Sequence, residues 1–394
     1  MATQGAVLDE SLHSRKTVSR STSETPPDVG SLVGGKYRIE RMIGQGAMGA
    51  VYAACHEPLQ KRVALKILFE EHVHSQETVN RFFNEARAAA GIESDHVARV
   101  LDVGQLETGA PFMALELLEG SDLAAVLQQG RRLSVHDVVD WVLQALEALA
   151  EAHSLGIVHR DLKPANLFLA RRRDGTRVVK VLDFGISKFS GLTGAQPTFT
   201  VTSSILGSPV YMAPEQLRNA KSVDARADIW AMGVVIYELL SGSVPFVADS
   251  VAELFVAVLE HVPASLQTCR PDIPPELDEV VMRCLSRDVE ARFRDVGELA
   301  VALAPFALGG DHPSVKRIRH VMQTADEWTT GRHPQLPRQR KRVHRLVAAV
   351  IAAVGVGGLA TGLMAAHQSV TTSHSAAPQA ARQPPARAAH VESP

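Results

Sequence analysis

The sequence predicts an α+β chain in two lobes, a five-stranded sheet with one helix and then a mainly helical part, followed by a single transmembrane helix. Three observations predict this. Over residues 37–118 the apolar positions alternate as in strands, interrupted by helical spacing only at 75–91. From Ser134 to about Leu303 helical spacing prevails. Residues 346–366 are then a run of 21 without a charge, which as a helix would span ~31 Å at ~1.5 Å per residue. The 394 residues are 45% hydrophobic, enough for a sizeable core, and the net charge of −2 argues against a chain-wide nucleic-acid-binding surface. Cys55, Cys269 and Cys284 are widely spaced and odd in number, which gives neither a disulfide framework nor a zinc cluster and suits a reducing cytoplasm.

Residues 1–34, rich in Ser and Thr with Pro26-Pro27, read as a disordered leader without a signal-peptide core. Strands are expected at 37–43, 50–56 and 62–69. Between the first two lie Gly44, Gln45, Gly46, Ala47, Met48 and Gly49. Such a turn lets backbone amides approach phosphates without Cβ obstruction, and a purely structural hairpin explains it equally well. A dinucleotide-binding fold would need a helix next, whereas 50–53 is another strand. Lys66 sits inside the apolar run 63–68. Pointing outward it is an ordinary strand lysine; pointing inward it needs a partner. Glu85, beside the helical face of Val79, Phe82, Phe83, Ala86 and Ala90, is the candidate. A β-hairpin at 98–103 and 111–118 completes the lobe, and the chain at about 115–121 reads as a hinge.

Ser134 and Asp137 have capping-box spacing, with Asp where Glu or Gln is usual. Val138, Val142, Ala145, Leu146 and Leu149 then form a buried stripe that delivers the chain to His159-Arg160-Asp161-Leu162-Lys163-Pro164-Ala165-Asn166. Here a carboxylate, an ammonium and a carboxamide share one loop between apolar runs. Asp161 can accept a proton, Lys163 can neutralise a transferring phosphate, and Asn166 can offer an oxygen to Mg²⁺. Asp183, ending the strand at 178–182 and followed by Phe184-Gly185, reads as a second metal ligand in the company of that loop. Residues 187–208 form a long polar loop, and such loops in compact domains tend to be functional. Helical patterns return at 228–240, 252–259, 277–287 and 295–303.

The expected organisation is a folded domain at 35–307, a linker at 308–345 ending in Arg338, Arg340, Lys341, Arg342 and Arg345, the span at 346–366, and a short disordered tail at 367–394. A compositionally biased tail is the alternative to the span, because Ala, Gly and Val dominate it. The basic residues precede it, so the positive-inside rule puts the folded domain in the cytoplasm, held at the inner membrane by one helix, with the tail outside.

Glycine hairpin, strand lysine, helix glutamate, hinge, His-Arg-Asp loop, Asp-Phe-Gly and Ala213-Pro214-Glu215 follow one another in order. Over roughly residues 37–305 this resembles the eukaryotic-type protein kinase family. Met48, residues 82–86 and residues 211–216 make it most similar to bacterial membrane-anchored Ser/Thr kinases. The resemblance implies an ATP-dependent serine/threonine kinase using Mg²⁺, or Mn²⁺ in its place, and activated by autophosphorylation. It implies catalytic roles for Asp161, Lys163, Lys66 and Glu85, with Asn166 and Asp183 on the metal. ATP would lie against Ile43 and the glycine loop, its adenine between Val51 and Ala64 on one side and Phe168 on the other. Leu115 would be the gatekeeper, and the backbones of Glu116 and Leu118 the hinge contacts. Ser208 would support Asp161 and Lys163, the latter being the Ser/Thr-type residue, and Glu215 with Arg292 would brace the helical lobe. Arg160 would bind, through charge-assisted hydrogen bonds, the phosphate carried by an autophosphorylated Thr200 or Thr202. The implied partners are protein Ser/Thr hydroxyls, the chain itself in trans, a membrane and, back to back, a second copy; nucleic acid is not among them. A pseudokinase scaffold is the competing class, and it commonly lacks at least one of the chemical residues that are all present here.

Overall fold

The computed structural model describes residues 27–184, 209–219, 223–309 and 311–329. Alternation builds its first lobe: β1 (Leu32–Val33), β2 (Tyr37–Gln45), β3 (Gly49–His56) and β4 (Lys61–Leu68), then β5 (Val100–Gln105) and β6 (Pro111–Glu116). These pair antiparallel in the order β1-β2-β3-β4-β6-β5. The sheet therefore has six strands, not the expected five. The extra strand lies in the supposed leader, where Val33 is buried and pairs with Tyr37 across a turn at Gly34 and Gly35. Two residues are too short to show a period, so alternation could not reveal it. After α1 (Glu70–Val73), Ser75 caps α2 (Gln76–Gly91) through the Thr78 amide at 3.2 Å. Val79, Phe82 and Ala86 of α2 bury against Leu68 and Met113.

Beyond the hinge, β7 (Gly120–Asp122) joins β8 (Leu167–Arg171) and β9 (Arg177–Val181) in a small sheet. Gly120 has φ +148°, and a Cβ there would lie 2.2 Å from the Leu169 carbonyl oxygen, so only glycine fits. Next to β7 come α3 (Leu123–Gln128) and α4 (Val135–Ser154). Ser134 caps α4 by accepting from the Asp137 amide at 3.0 Å, while its hydroxyl donates to the Asp137 carboxylate at 2.7 Å. The second half of the expected box is thus made to the hydroxyl instead of the cap's backbone amide. One continuous core then joins α4 to α5 (Pro214–Arg218), α6 (Arg226–Ser241), α7 (Val251–Glu260), α8 (Leu266–Cys269), α9 (Pro275–Cys284) and α10 (Val296–Leu303). α6 is buried nearly all round, with Trp230 at its centre.

The expected linker is corrected by α11 (Pro313–Thr329), which packs on α4 and α10. Ile318 is fully buried there, and Arg317 reaches the buried Glu147 of α4 at 2.6 Å. Val315, Ile318, Val321 and Met322 recur at helical spacing and pack on the core, but they are sparse among polar residues and follow a Gly- and Pro-containing stretch, so the segment reads as a linker. The expected span at 346–366 lies outside the described residues; among those described, no helix is long and apolar enough to cross a membrane.

Candidate active site

The loop after α4 is held from below by a residue the sequence reading treated only as a helix start. The fully buried Asp228, in the first turn of α6, accepts from the backbone amides of His159 and Arg160 and from His153 Nε2, each at 2.8 Å. Burial works to raise its pKa, but these donors, His153 first, hold it below the ordinary carboxylate value. Arg160 adopts φ +65°, a strained conformation for a side chain of this size, and the Asp228 bond helps fix it. An Asp in the first helical turn is an ordinary start signal, so nothing local marked Asp228 as special. His159 is fully buried, and burial pushes its pKa down. Its Nδ1 accepts from the Asp161 amide at 3.2 Å and its Nε2 lies 3.0 Å from the Leu182 carbonyl, a pattern that fits the neutral Nε2–H tautomer. Its ring packs on Phe184, centroids 4.8 Å apart.

On this support the three chemical groups converge. Asn166 donates from Nδ2 to the Asp161 carbonyl at 2.7 Å and to Asp161 Oδ2 at 3.1 Å. Lys163 Nζ is 3.2 Å from the same Oδ2. The Leu182 amide donates to the Asn166 carbonyl at 2.9 Å, which sets the end of β9, and therefore Asp183, beside the loop. Lys66 faces inward, as the functional reading required: its Nζ donates to Glu85 Oε1 and to Asp183 Oδ1, both at 2.7 Å. Burial opposes its charge, but the two carboxylates, Asp183 foremost, outweigh that and raise its pKa. One ammonium cannot satisfy both acids. Burial, with the nearby Asp183, drives Glu85 upward despite Lys66. Desolvation pulls Asp183 the same way, and Lys66 overcomes it, leaving Asp183 below its ordinary value. Asp183 also sits at φ +49°, and its side chain is 53% exposed at the cleft mouth.

Next to this triad is a mainly apolar cavity of about 170 Å³. Ile43, Val51, Ala64, Leu115, Leu118 and Phe168 line it, and Lys66, Glu85, Glu116 and Asp183 border it. Met113, Val181 and Leu182, read in the sequence only as strand residues, line it too, as does Val97, which no sequence signal singled out. Glu116 has a side-chain role the hinge reading missed: its carboxylate pairs with Lys180 at 2.6 Å and accepts from the Arg99 amide at 2.9 Å. Two larger grooves, of about 1040 and 670 Å³, contain none of the chemical residues, so size alone does not find the site.

The glycine turn lies outside the cavity lining, exposed from Gly44 through Met48. The Gly46 amide donates to Gly49 at 2.9 Å, Ala47 O faces His72 Nε2 at 3.1 Å, and Met48 accepts from Phe69. Gly49 is forced by packing, since a Cβ would meet Ile67 O at 2.2 Å. A Cβ on Gly44 would meet open space and one on Gly46 an ordinary contact with Gly49 O at 3.9 Å, so packing does not require glycine at either position. A backbone that must come close to a phosphate does. Among the described residues no cluster of three or more His, Cys, Asp or Glu could hold a metal unaided. Asn166, whose amide nitrogen is committed to Asp161, and Asp183 fit a hard cation that takes its other oxygens from phosphates.

The Arg160 guanidinium reaches only the Val223 carbonyl, at 3.4 Å, and pairs with no carboxylate among the described residues. Gly185, Thr200, Thr202 and Ser208 lie outside the described residues. Glu215 and Arg292 form the expected brace, two parallel bonds of 2.7 and 2.8 Å.

Residues 37–299 match the model of the protein kinase domain family. The chain is 40% identical over 269 residues to serine/threonine-protein kinase Pkn3 of Myxococcus xanthus, covering 68% of this chain and 49% of that one. To Pkn1 of the same organism it is 38% identical, covering 68% and 38%. To serine/threonine-protein kinase PknA of Mycobacterium tuberculosis it is 34% identical, covering 73% and 65%. It thus spans half or less of the length of the two Myxococcus relatives. Among solved structures, the PknI kinase domain of Mycobacterium tuberculosis aligns with a TM-score of 0.55 at 29% identity, over 72% of this chain and 100% of that one.

Proposed function

Because the chain belongs to the protein kinase domain family, we propose that its cleft transfers the γ-phosphate of ATP to serine and threonine hydroxyls of proteins, its own copies in trans included. The observation that carries this reading is the convergence of Asp161, Lys163 and Asn166 with the Lys66–Glu85–Asp183 triad at the edge of one apolar cavity. In the reaction the acceptor oxygen bonds to the γ-phosphorus, the bond to the bridging oxygen breaks, and ADP leaves with that electron pair. Asp161 orients the hydroxyl and takes its proton. Lys163, already 3.2 Å from Asp161, offsets charge on the transferring group. Lys66 holds the α- and β-phosphates, and the apolar walls hold adenine and exclude water. A divalent cation held by Asn166 and Asp183 would neutralise charge on the phosphates as they separate.

Regulation follows from Arg160. Its strained backbone and a guanidinium without a carboxylate among the described residues suit a phosphothreonine supplied by Thr200 or Thr202. Replacing both threonines by Ala is expected to lower activity about tenfold or more; full activity in that variant would remove this part of the proposal. A cytoplasmic kinase domain tethered by residues 346–366, and back-to-back pairing of two copies, complete the reading. The direct test is radiolabelled γ-phosphate transfer by the full chain beside Asp161→Asn. Equal labelling by both would overturn the catalytic assignment.

A further inference from the structure

Outside the cleft, two arginine-rich stretches of the sequence are Arg131-Arg132 before α4 and Arg171-Arg172-Arg173 with Arg177 in the β8–β9 hairpin. The small sheet brings them together. Gly120 pairs with Ala170, and the Arg171 amide donates to Glu119 O at 2.7 Å, which ties the root of the hairpin to the chain entering α3. Between them lies the groove of about 670 Å³, lined by Arg131, Arg132, Arg171 and Arg177, with Trp141 among its apolar residues.

Its charge is unbalanced. Arg132 is paired with Asp272, but no carboxylate among the described residues pairs with Arg131, Arg171 or Arg177. The two acids in the groove keep their charge but point to neighbours instead of the arginines: Asp137 accepts from Ser134 at 2.7 Å, and Asp140 accepts from Gln144 at 2.9 Å and faces His312 Nε2 at 2.7 Å. The 20-residue α4 begins at the same groove and adds the partial positive charge of its first turn. Four guanidiniums face two carboxylates in this concave lining, an excess of positive charge that attracts anions.

We propose that this groove docks an acidic peptide segment of a protein partner, its carboxylates forked by Arg131, Arg171 and Arg177. A groove fits an extended chain better than a flat bilayer, and none of the large exposed apolar side chains, such as Val247, Val262 or Leu308, lines it to insert among lipids. Gly120 in the groove follows Leu118 of the nucleotide cavity by two positions, so the occupant is held beside the cleft and leaves it open. That the partner is a phosphoacceptor rests on the proposed phosphotransfer.

The test measures binding of a short fluorescein-labelled glutamate-rich peptide to the full chain. Wild type and Asp161→Asn should bind alike, more weakly at high salt, which keeps this result independent of catalysis. The triple variant Arg131→Glu/Arg171→Glu/Arg177→Glu should bind about tenfold more weakly or worse, with unfolding midpoint and autophosphorylation unchanged. Fusing the acidic segment to a serine peptide should lower KM, not raise kcat, and only in wild type. If the triple Glu variant does not fold, the triple Gln variant is read in the same way. Equal affinity in wild type and variant, competition between the peptide and a non-hydrolysable ATP analogue, or capture of phosphatidylglycerol vesicles in place of the peptide would each overturn the proposal.

Discussion

The Glu215–Arg292 pair and the Lys66–Glu85 pair are drawn at the same 2.7 Å, yet they do different things. Arg292 has a fully buried side chain, two parallel bonds to one carboxylate, the Ser286 and Arg226 carbonyls on two further donors, and the Trp230 ring 5.1 Å away. Charge there is matched one to one, which suits a fixture. Lys66 is shared by two carboxylates, one raised by burial and the other half out in solvent. That arrangement has a surplus negative charge and an open side, so its members can regroup around a ligand. Bond length does not distinguish structure from site; charge balance does.

The contrast can be broken at its closed end first. Arg292→Leu should cost about 3–5 kcal/mol, because it strands Glu215, and urea unfolding would show it. An unchanged midpoint would mean the brace is decorative. At the open end, Lys66→Met should lower phosphotransfer about 10²–10³-fold, as removal of one preorganised donor does. Its unfolding midpoint should move much less than that of Arg292→Leu, since Glu85 is already poised to take up a proton. Ile318→Ala, which empties the fully buried anchor of α11, should cost about 2–3 kcal/mol; loss of protection confined to α11 in hydrogen exchange would locate the effect. The smallest probe is pH. His159 and His96 are both pushed below the ordinary value of 6.5 by burial. Their contribution is present above about pH 6.5 and is lost as pH falls below it, because the unfolded chain then binds protons the folded one refuses. The urea midpoint should therefore drop between pH 7.5 and about 5.5; a rise would show that these histidines are not held neutral.

The chemical loop was legible because its three reactive side chains are contiguous, and Lys66 was legible because a lysine inside an apolar strand demands a partner. Glu85 followed from that demand, and the structure puts the two in contact. Asp228 was not legible, since its three partners come from His153, His159 and Arg160, far away in sequence. Lys180, which holds the hinge residue Glu116 across 64 positions, was hidden for the same reason. Periodicity found the strands that repeat an alternation and missed β1, which has two residues. It found the helices dense in apolar residues and missed α11, whose stripe of Val315, Ile318, Val321 and Met322 is set among many polar residues.

Of the elements the sequence did not announce, β1 and α11 lie outside the family's matched stretch of residues 37–299, one before its first residue and one after its last. The heritable module and the physical one therefore have different edges. A piece cut at the family boundaries and grafted elsewhere would carry the whole catalytic constellation. It would leave behind Val33, which covers Tyr37, and Arg317, the cation beside the buried Glu147. Portability of this chain as a part is set by those two clasps, and a boundary that takes in β1 and α11 keeps them both.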